Sequence, residues 1–379
     1  MKRDVEIPTG FKSLVTPVYR GSTTVFENAA MVKDAWNHEE AAYTYGLYGT
    51  PTTLELAARI AELEHGAHTF ITPGGQAALA LIYFSLVNAG KHVLVPDSIY
   101  GPNRGLAKDV LTRYGIETTF YDPLIGEDIK DLVKENTSLI WCESPGSVTM
   151  EVQDVKAICA AAKERGVTVA LDNTYAAGVY FDAFKHGVDV TMQALTKYIG
   201  GHSDLLLGSV TVKDDSLYNT IGTVHQRLGL AASPDDCSLA LRGMQTLAVR
   251  LQAVEQSALI VAQWFEKQTF IKTVLHPAFA ACPGHEIWKR DFTGSTGIFS
   301  IVFAEHLESE QIFRFIDSLE LFQIGYSWGG VTSLVVPYFD LERTQSTTSA
   351  KLVRFNIGLE TVEDLIADLN QAATKLRKR

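Results

Sequence analysis

One run combines a reactive side chain with the backbone freedom a binding site needs. Thr196-Lys197-Tyr198-Ile199-Gly200-Gly201-His202-Ser203-Asp204 places a lysine after a strand-like stretch at 189–195 and before paired glycines. At a strand end the backbone turns and side chains converge. Burial there disfavours the ammonium form and frees an amine able to hold a carbonyl cofactor as a Schiff base. Alone, the run fits an exposed lysine in a glycine-rich loop equally well. Asp172 follows the apolar stretch 167–171. It reads either as a turn cap or as the partner of a heterocyclic nitrogen, where a carboxylate keeps a pyridinium protonated and electron-withdrawing. Thr72-Pro73-Gly74-Gly75-Gln76 precedes the apolar run Ala77-Ala78-Leu79-Ala80-Leu81-Ile82. Gly75 and Gln76 thus open a helix whose N–H groups and dipole suit an anion; the bland reading is a plain turn. Amine, ring partner and phosphate cradle together describe pyridoxal 5′-phosphate.

Two more residues extend the set. Tyr100 comes shortly after the strand-like stretch 92–96, where its ring can stack on a cofactor or simply pack. Arg354 lies inside the apolar stretch 352–357. A buried guanidinium needs a partner, either a structural carboxylate or a substrate carboxylate held bidentately.

The elements that must position these residues alternate. Strand-like runs at 92–96, 138–143, 167–171, 188–194 and 205–212 have helical segments between several of them, such as 154–165. Such alternation predicts a mostly parallel sheet covered on both faces, with its site at the carboxyl ends of the strands. Thr50-Pro51 predicts a helix start, followed by Leu56, Ile60 and Leu63 at helical spacing. Beyond about residue 240 the pattern changes. A long helix is expected over 238–268, a strand at 297–303, a helix at 309–319, a strand at 352–357 and a last helix opening at Thr361 with a capping box. The expected organisation is an N-terminal arm at 1–50, a cofactor-binding domain at 51–237 and a smaller α/β domain at 238–379.

Bulk properties bound the function. With 379 residues, 46% of them hydrophobic and 20% charged, the chain reads as an ordinary globular protein of roughly two or three domains. A net charge of −11, with no basic stripe, argues against nucleic acid. The basic cluster 375–379 ends a helical pattern and complements its dipole. Cys142, Cys159, Cys237 and Cys282 form no CxxC pair or zinc spacing, as expected of reduced thiols. The opening Met1-Lys2-Arg3-Asp4-Val5-Glu6 carries acid where a signal peptide needs an apolar stretch. No apolar run reaches membrane-spanning length, so the expected compartment is the cytoplasm. HExxH, Walker-type and GxSxG motifs are absent from the sequence.

The combination resembles the Cys/Met-metabolism family of pyridoxal-phosphate enzymes, and within it the bacterial cystathionine β-lyase branch. The resemblance runs through Tyr45-Gly46, Glu143-Ser144-Pro145-Gly146-Ser147, Asp172-Asn173-Thr174, Thr196-Lys197-Tyr198 and His202-Ser203-Asp204. It continues through 288–294, Tyr326-Ser327-Trp328-Gly329-Gly330 and Ile357-Gly358-Leu359-Glu360. It implies the fold-type-I, aspartate-aminotransferase-like architecture and a homotetramer of dimers that share active sites. It makes Lys197 the Schiff-base lysine and Asp172 the pyridinium partner, stacks Tyr100 on the ring, and puts Gly75, Gln76 and Thr196 on the phosphate. Arg354 and Ser327 would hold an amino-acid α-carboxylate, with Tyr326 also on the substrate; Tyr45 would reach the neighbouring subunit's cofactor, and Tyr45 and Tyr100 would join Lys197 as catalytic residues. Tyr326 stands where γ-acting relatives carry an acid, which implies β-elimination from L-cystathionine. The alternatives are a broader cysteine-S-conjugate lyase or cysteine desulfhydrase, and, from another class, a catalytically silent cofactor-binding regulator. Two positions depart from the family pattern. Leu47 replaces an arginine expected on the phosphate, with Tyr48 or Arg20 as possible substitutes, and Thr332 replaces a glutamate.

Overall fold

A computed structural model describes residues 13–38, 43–344 and 351–376. The charged opening at 1–6 and the basic residues at 377–379 lie outside the described residues. The larger sheet is built from β1 (His68–Thr72), β2 (His92–Pro96), β3 (Glu117–Tyr121), β4 (Thr137–Glu143), β5 (Thr168–Asp172), β6 (Val190–Gln193) and β7 (Gly208–Val212). Their order is β1-β7-β6-β5-β4-β2-β3, with β7 antiparallel to both neighbours and the pairs from β6 to β3 parallel. Helices α1 (Pro51–Leu63), α2 (Gly75–Leu86), α3 (Gly101–Gly105), α4 (Val155–Glu164) and α5 (Asp215–Leu228) connect and cover it.

The sheet is buried on both faces, which is why its strands read as continuous apolar runs. Successive residues enter opposite cores. Val93, Val95, Leu139 and Trp141 join one cluster, while Leu94, Ile140 and Cys142 join the other. Helix α1 starts as the sequence predicts: the Thr50 side chain accepts from the Thr53 amide and Pro51 is the first helical residue.

The C-terminal part comprises α6 (Pro234–Met244), α7 (Leu247–Glu266), α8 (His285–Asp291), α9 (Ser309–Asp317) and α10 (Val362–Ala373). Its strands are β8 (Ile271–Leu275), β9 (Ile298–Phe303), β10 (Gln323–Ile324), β11 (Leu334–Tyr338) and β12 (Leu352–Asn356), in the order β10-β11-β12-β9-β8. Residue 238 lies within α6. Helix α7 spans two cores: Leu247, Leu251 and Val254 pack with Leu56 and Leu195, whereas Ala258, Val261 and Phe265 pack with Phe299 and Phe355.

Several expected elements are redrawn. The single helix over 238–268 is two helices, broken at Gln245 and Thr246. The strand expected from 205 starts at Gly208. Thr361 makes no side-chain cap bond, and the capping box instead joins Glu308 and Gln311 at α9. Strands β1 and β3 and helix α5 carry too little unbroken periodicity to stand out in the sequence. Among the described residues of the N-terminal arm, regular structure amounts to two short 3₁₀ turns and one bridge, Thr23 to Tyr45. No helix among the described residues is long and apolar enough to cross a membrane. All four cysteines are buried and free.

Candidate active site

The carboxyl ends of β1, β2, β4, β5 and β6 converge on a cavity of about 310 Å³. Its lining includes Gly75, Gln76, Tyr100, Glu143, Asp172, Thr196, Lys197 and, from the C-terminal sheet, Arg354. These elements put six segments, far apart in sequence, around one space. Among the described residues, the wall's cationic side chains are Lys197 and Arg354.

Lys197 sits in the turn after β6, where its amide bonds the Ala194 carbonyl and its carbonyl accepts from Gly201. Its Nζ donates to Ser327 Oγ at 2.6 Å. Burial first, and then the nearby Arg354 charge, lower the ammonium pKa to about 8, against the pull of Asp172. The neutral fraction at pH 7 is thereby raised by a factor of roughly 300 over an ordinary lysine. Gly329 closes over the Lys197 backbone; a Cβ there would come within 3.0 Å of Tyr198 N and 3.1 Å of Lys197 C, at φ +80°. Only glycine suits that conformation and that approach.

Asp172 is the last residue of β5. Its Oδ1 accepts from both the amide and the hydroxyl of Thr174. Its Oδ2 has no hydrogen-bond partner among the described residues. Burial raises its pKa, opposed by the two Thr174 bonds and by Lys197. Such a carboxylate is stabilised by a cationic N–H in the cavity.

At the other end of the cavity, α2 begins at Gly75 with Gly74 as its cap and no side-chain capping bond. The first amides of a helix have no partner within it, and here Gly74 to Ala77 all line the cavity. A Cβ on Gly75 would meet Ala194 Cβ at 2.9 Å, so this helix start packs directly against the turn leading to Lys197. Thr196 Oγ1 exchanges bonds of 3.2 Å with the Leu207 amide and carbonyl. Tyr100 caps α3, half exposed at the cavity rim.

Arg354 is 8% exposed in the middle of β12. No carboxylate pairs with it among the described residues. Its Nη2 donates to the Ser327 carbonyl at 3.0 Å, and burial lowers its pKa. Ser327 adopts φ 74°, a left-handed conformation that costs a non-glycine residue on the order of 1–3 kcal/mol. In that conformation its hydroxyl meets Lys197 and its carbonyl meets Arg354.

Not every expected residue lines this cavity. Tyr326 is 80% exposed, and neither it nor Ser327 or Tyr45 is part of the wall. Leu47 occupies the turn Gly46–Tyr48. Both suggested substitutes for a missing arginine are engaged within the chain. Arg20 pairs with Asp235, and the Tyr48 hydroxyl donates to Asp34 and accepts from Gln226. Thr332 exposes its side chain and offers its carbonyl to Asn356 at 3.3 Å.

Glu143, marked in the sequence only as the first residue of the run 143–147, takes a defined place in the structure. It ends β4 and lies beside Asp172 in register. Its carboxyl accepts from the Tyr100 amide at 2.8 Å and from the Ser147 hydroxyl. Burial, reinforced by the Asp172 charge, raises its pKa. The signal was available: an acid directly after an apolar strand, the same cue that marked Asp172.

The cavity fits pyridoxal 5′-phosphate. Uncapped helix amides suit its phosphate, the unpartnered Asp172 oxygen suits its ring nitrogen, and a low-pKa amine suits its carbonyl carbon.

A model of the Cys/Met metabolism PLP-dependent enzyme family matches residues 2–374. The chain is 38% identical to cystathionine beta-lyase MetC of Escherichia coli over 368 residues, covering 95% of this chain and 93% of that protein. It is 37% identical to an L-alanine/L-glutamate racemase of Wolbachia pipientis over 378 residues, covering 96% and 93%. Among solved structures, metB from Corynebacterium glutamicum superposes with a TM-score of 0.88 at 30% identity, covering 98% of this chain and 95% of that one.

Proposed function

The chain belongs to the Cys/Met-metabolism family of pyridoxal-phosphate-dependent enzymes, and from that premise we propose that it is a carbon–sulfur β-lyase that cleaves L-cystathionine to homocysteine, pyruvate and ammonia. The observation that carries the reading is the position of Ser327. It touches the Lys197 amine at 2.6 Å and the Arg354 guanidinium at 3.0 Å, so a base and an anion anchor share one residue.

Gly75, Gln76 and Thr196 would hold the cofactor's phosphate, Asp172 its ring nitrogen, Tyr100 a ring face and Lys197 its carbonyl carbon. When bound, pyridoxal 5′-phosphate supplies an electron sink for the α-carbon of an amino acid. Arg354 holds the substrate α-carboxylate and so fixes which bond faces Lys197. Lys197, neutral in a larger share than an exposed lysine, takes the α-proton as general base. The same amine, still carrying that proton, can return it to the departing thiolate. One water is consumed, and nitrogen leaves as ammonia.

The test is a substrate panel on the holoenzyme. Pyruvate release from L-cystathionine is expected to exceed release from L-cysteine, and dominant 2-oxobutanoate would sink the β-elimination claim. Stronger pyruvate release from L-cysteine or other S-conjugates would indicate the broader lyase, and no turnover with bound cofactor a regulator. A second reading, racemisation, has the Wolbachia relative in its favour. Formation of D-alanine from L-alanine at a rate rivalling pyruvate release would establish it.

The assembly proposed is a homotetramer in the cytoplasm, with Tyr45 reaching a neighbour's site. Support comes from the arm, where Leu14, Val25, Met31 and Val32 stand exposed, an apolar surface that a second copy would cover. Sedimentation equilibrium at micromolar concentration checks it; a monomer would rule it out.

A further inference from the structure

Arg354 poses a problem that the proposed reaction does not solve. A buried guanidinium with no carboxylate partner among the described residues must be held in one orientation if it is to select a ligand. One contact is the Ser327 carbonyl at 3.0 Å. A second comes from the neighbouring strand. β11 and β12 are antiparallel, with Val336 opposite Arg354 and Tyr338 opposite Leu352. Side chains two apart on a strand share a face, so Tyr338 is the diagonal neighbour of Arg354. Aromatic side chains reach across that diagonal. The Tyr338 ring centroid lies 5.3 Å from Arg354 Cζ, within cation–π range. Tyr338 is half-buried, packed against the core that includes Leu352. Among the described residues, no other ring stands within that range of Arg354. Tyr100 and Tyr326 act on it only through longer-range electrostatics, whereas the Tyr338 hydroxyl also interacts with it directly.

We propose that Tyr338 is a positioning residue that sets the plane of the Arg354 guanidinium and thereby the chain's preference for ligands bearing an α-carboxylate. The proposal rests on Arg354 being the carboxylate anchor. The ring replaces lost hydration on one side of the guanidinium and the Ser327 carbonyl fixes one of its donors. The remaining N–H groups are left for the cavity. An aliphatic side chain at 338 fills space but has no quadrupole to hold the cation.

The test uses holoenzyme and two non-sulfur ligands, L-alanine and L-alaninamide, titrated calorimetrically. They differ in the group Arg354 would read. Wild type is expected to prefer L-alanine. Tyr338→Phe keeps the ring and should keep that preference within about threefold. Tyr338→Leu should weaken L-alanine by about 3- to 30-fold, the range of a desolvated cation–π contact, and leave L-alaninamide unchanged. Its effect on turnover should fall on KM rather than kcat. If Tyr338→Leu does not fold, Tyr338→Met, unbranched and able to fill the same space, carries the same expectation. Equal weakening of both ligands, or no change in either, overturns the proposal. Wild type binding both ligands alike, or Arg354→Lys retaining the full preference, overturns the anchor reading and the Tyr338 role with it. Neither ligand is cystathionine, so a failure of the lyase assignment alone would leave this result standing.

Discussion

The two sides of the cavity solve the same problem differently. The side built by the large sheet carries its chemistry at strand ends, with Glu143 closing β4, Asp172 closing β5 and Lys197 in the turn after β6. The side built by the C-terminal sheet carries it in mid-strand, with Arg354 at the centre of β12 and Tyr338 diagonal to it on β11. Parallel strands buried on both faces leave only their ends open to a ligand. An antiparallel strand with one face on a cavity can present a functional side chain anywhere along that face. The first side holds its carboxylates by paired amide and hydroxyl donors, the second its guanidinium by a ring and a backbone carbonyl. Asp172 is therefore fixed within its own turn, whereas Glu143 and the mid-strand cation are fixed by distant segments.

The largest way to break the contrast is on the strand-end side. Lys197→Met should lower pyruvate release by on the order of 10²–10⁴-fold, the contribution of a positioned general base. The same change should raise the thermal midpoint of the cofactor-free protein at pH 7. The sign follows from linkage: the folded-state pKa of about 8 lies below the ordinary 10.5, so folding is penalised below pH 8 and the penalty fades as pH rises toward 10.5. Midpoints measured from pH 7 to 10.5 should thus converge for wild type and variant; a constant gap would contradict the low pKa.

The mid-strand side should fail by a different parameter. Arg354→Lys is expected to cost about 10- to 100-fold in kcat/KM, mostly through KM, because a point charge replaces a fork. Steady-state kinetics with L-cystathionine decide it, and a loss confined to kcat would blur the distinction between the two sides.

Next in size is the phosphate end, which depends on backbone amides. Leu47→Arg should tighten pyridoxal-phosphate binding about tenfold, the lower range for a charge-assisted bond. Equilibrium dialysis checks this, and an unchanged Kd means that the helix start already suffices.

The smallest effect separates hydrogen bonding from charge at Glu143. Glu143→Gln keeps an acceptor for the Tyr100 amide and should change kcat/KM by less than about threefold. Glu143→Ala removes the acceptor and should cost about fivefold to tenfold, the size of one net hydrogen bond. Equal losses would make charge, not Tyr100 placement, the function of Glu143.

Legibility in the sequence follows the same divide. Lys197, Asp172 and Gly75 were readable because each sits at the boundary of one apolar run, a local feature. Glu143 has the same signature, but its partner, the Tyr100 amide, lies 43 residues away and only the fold brings the two together. Arg354 was readable as an anomaly in an apolar strand, but its partner was not. The split of 238–268 into two helices has one local cue, Gly243 just before the break at Gln245 and Thr246, whereas the change of core between Leu247 and Phe265 is a tertiary fact.

The sequence by itself determined the layered α/β fold, the cofactor class and the three groups that would hold it. Strand ends, helix starts and apolar periodicity are set by neighbours a few residues away. Tertiary structure alone decided that Ser327 bridges Lys197 and Arg354 across 130 and 27 residues of chain, that Tyr338 faces the guanidinium, and that Glu143 and Asp172 lie side by side. Strand register and burial fix those contacts and the protonation they impose, and both depend on which distant segments share a face.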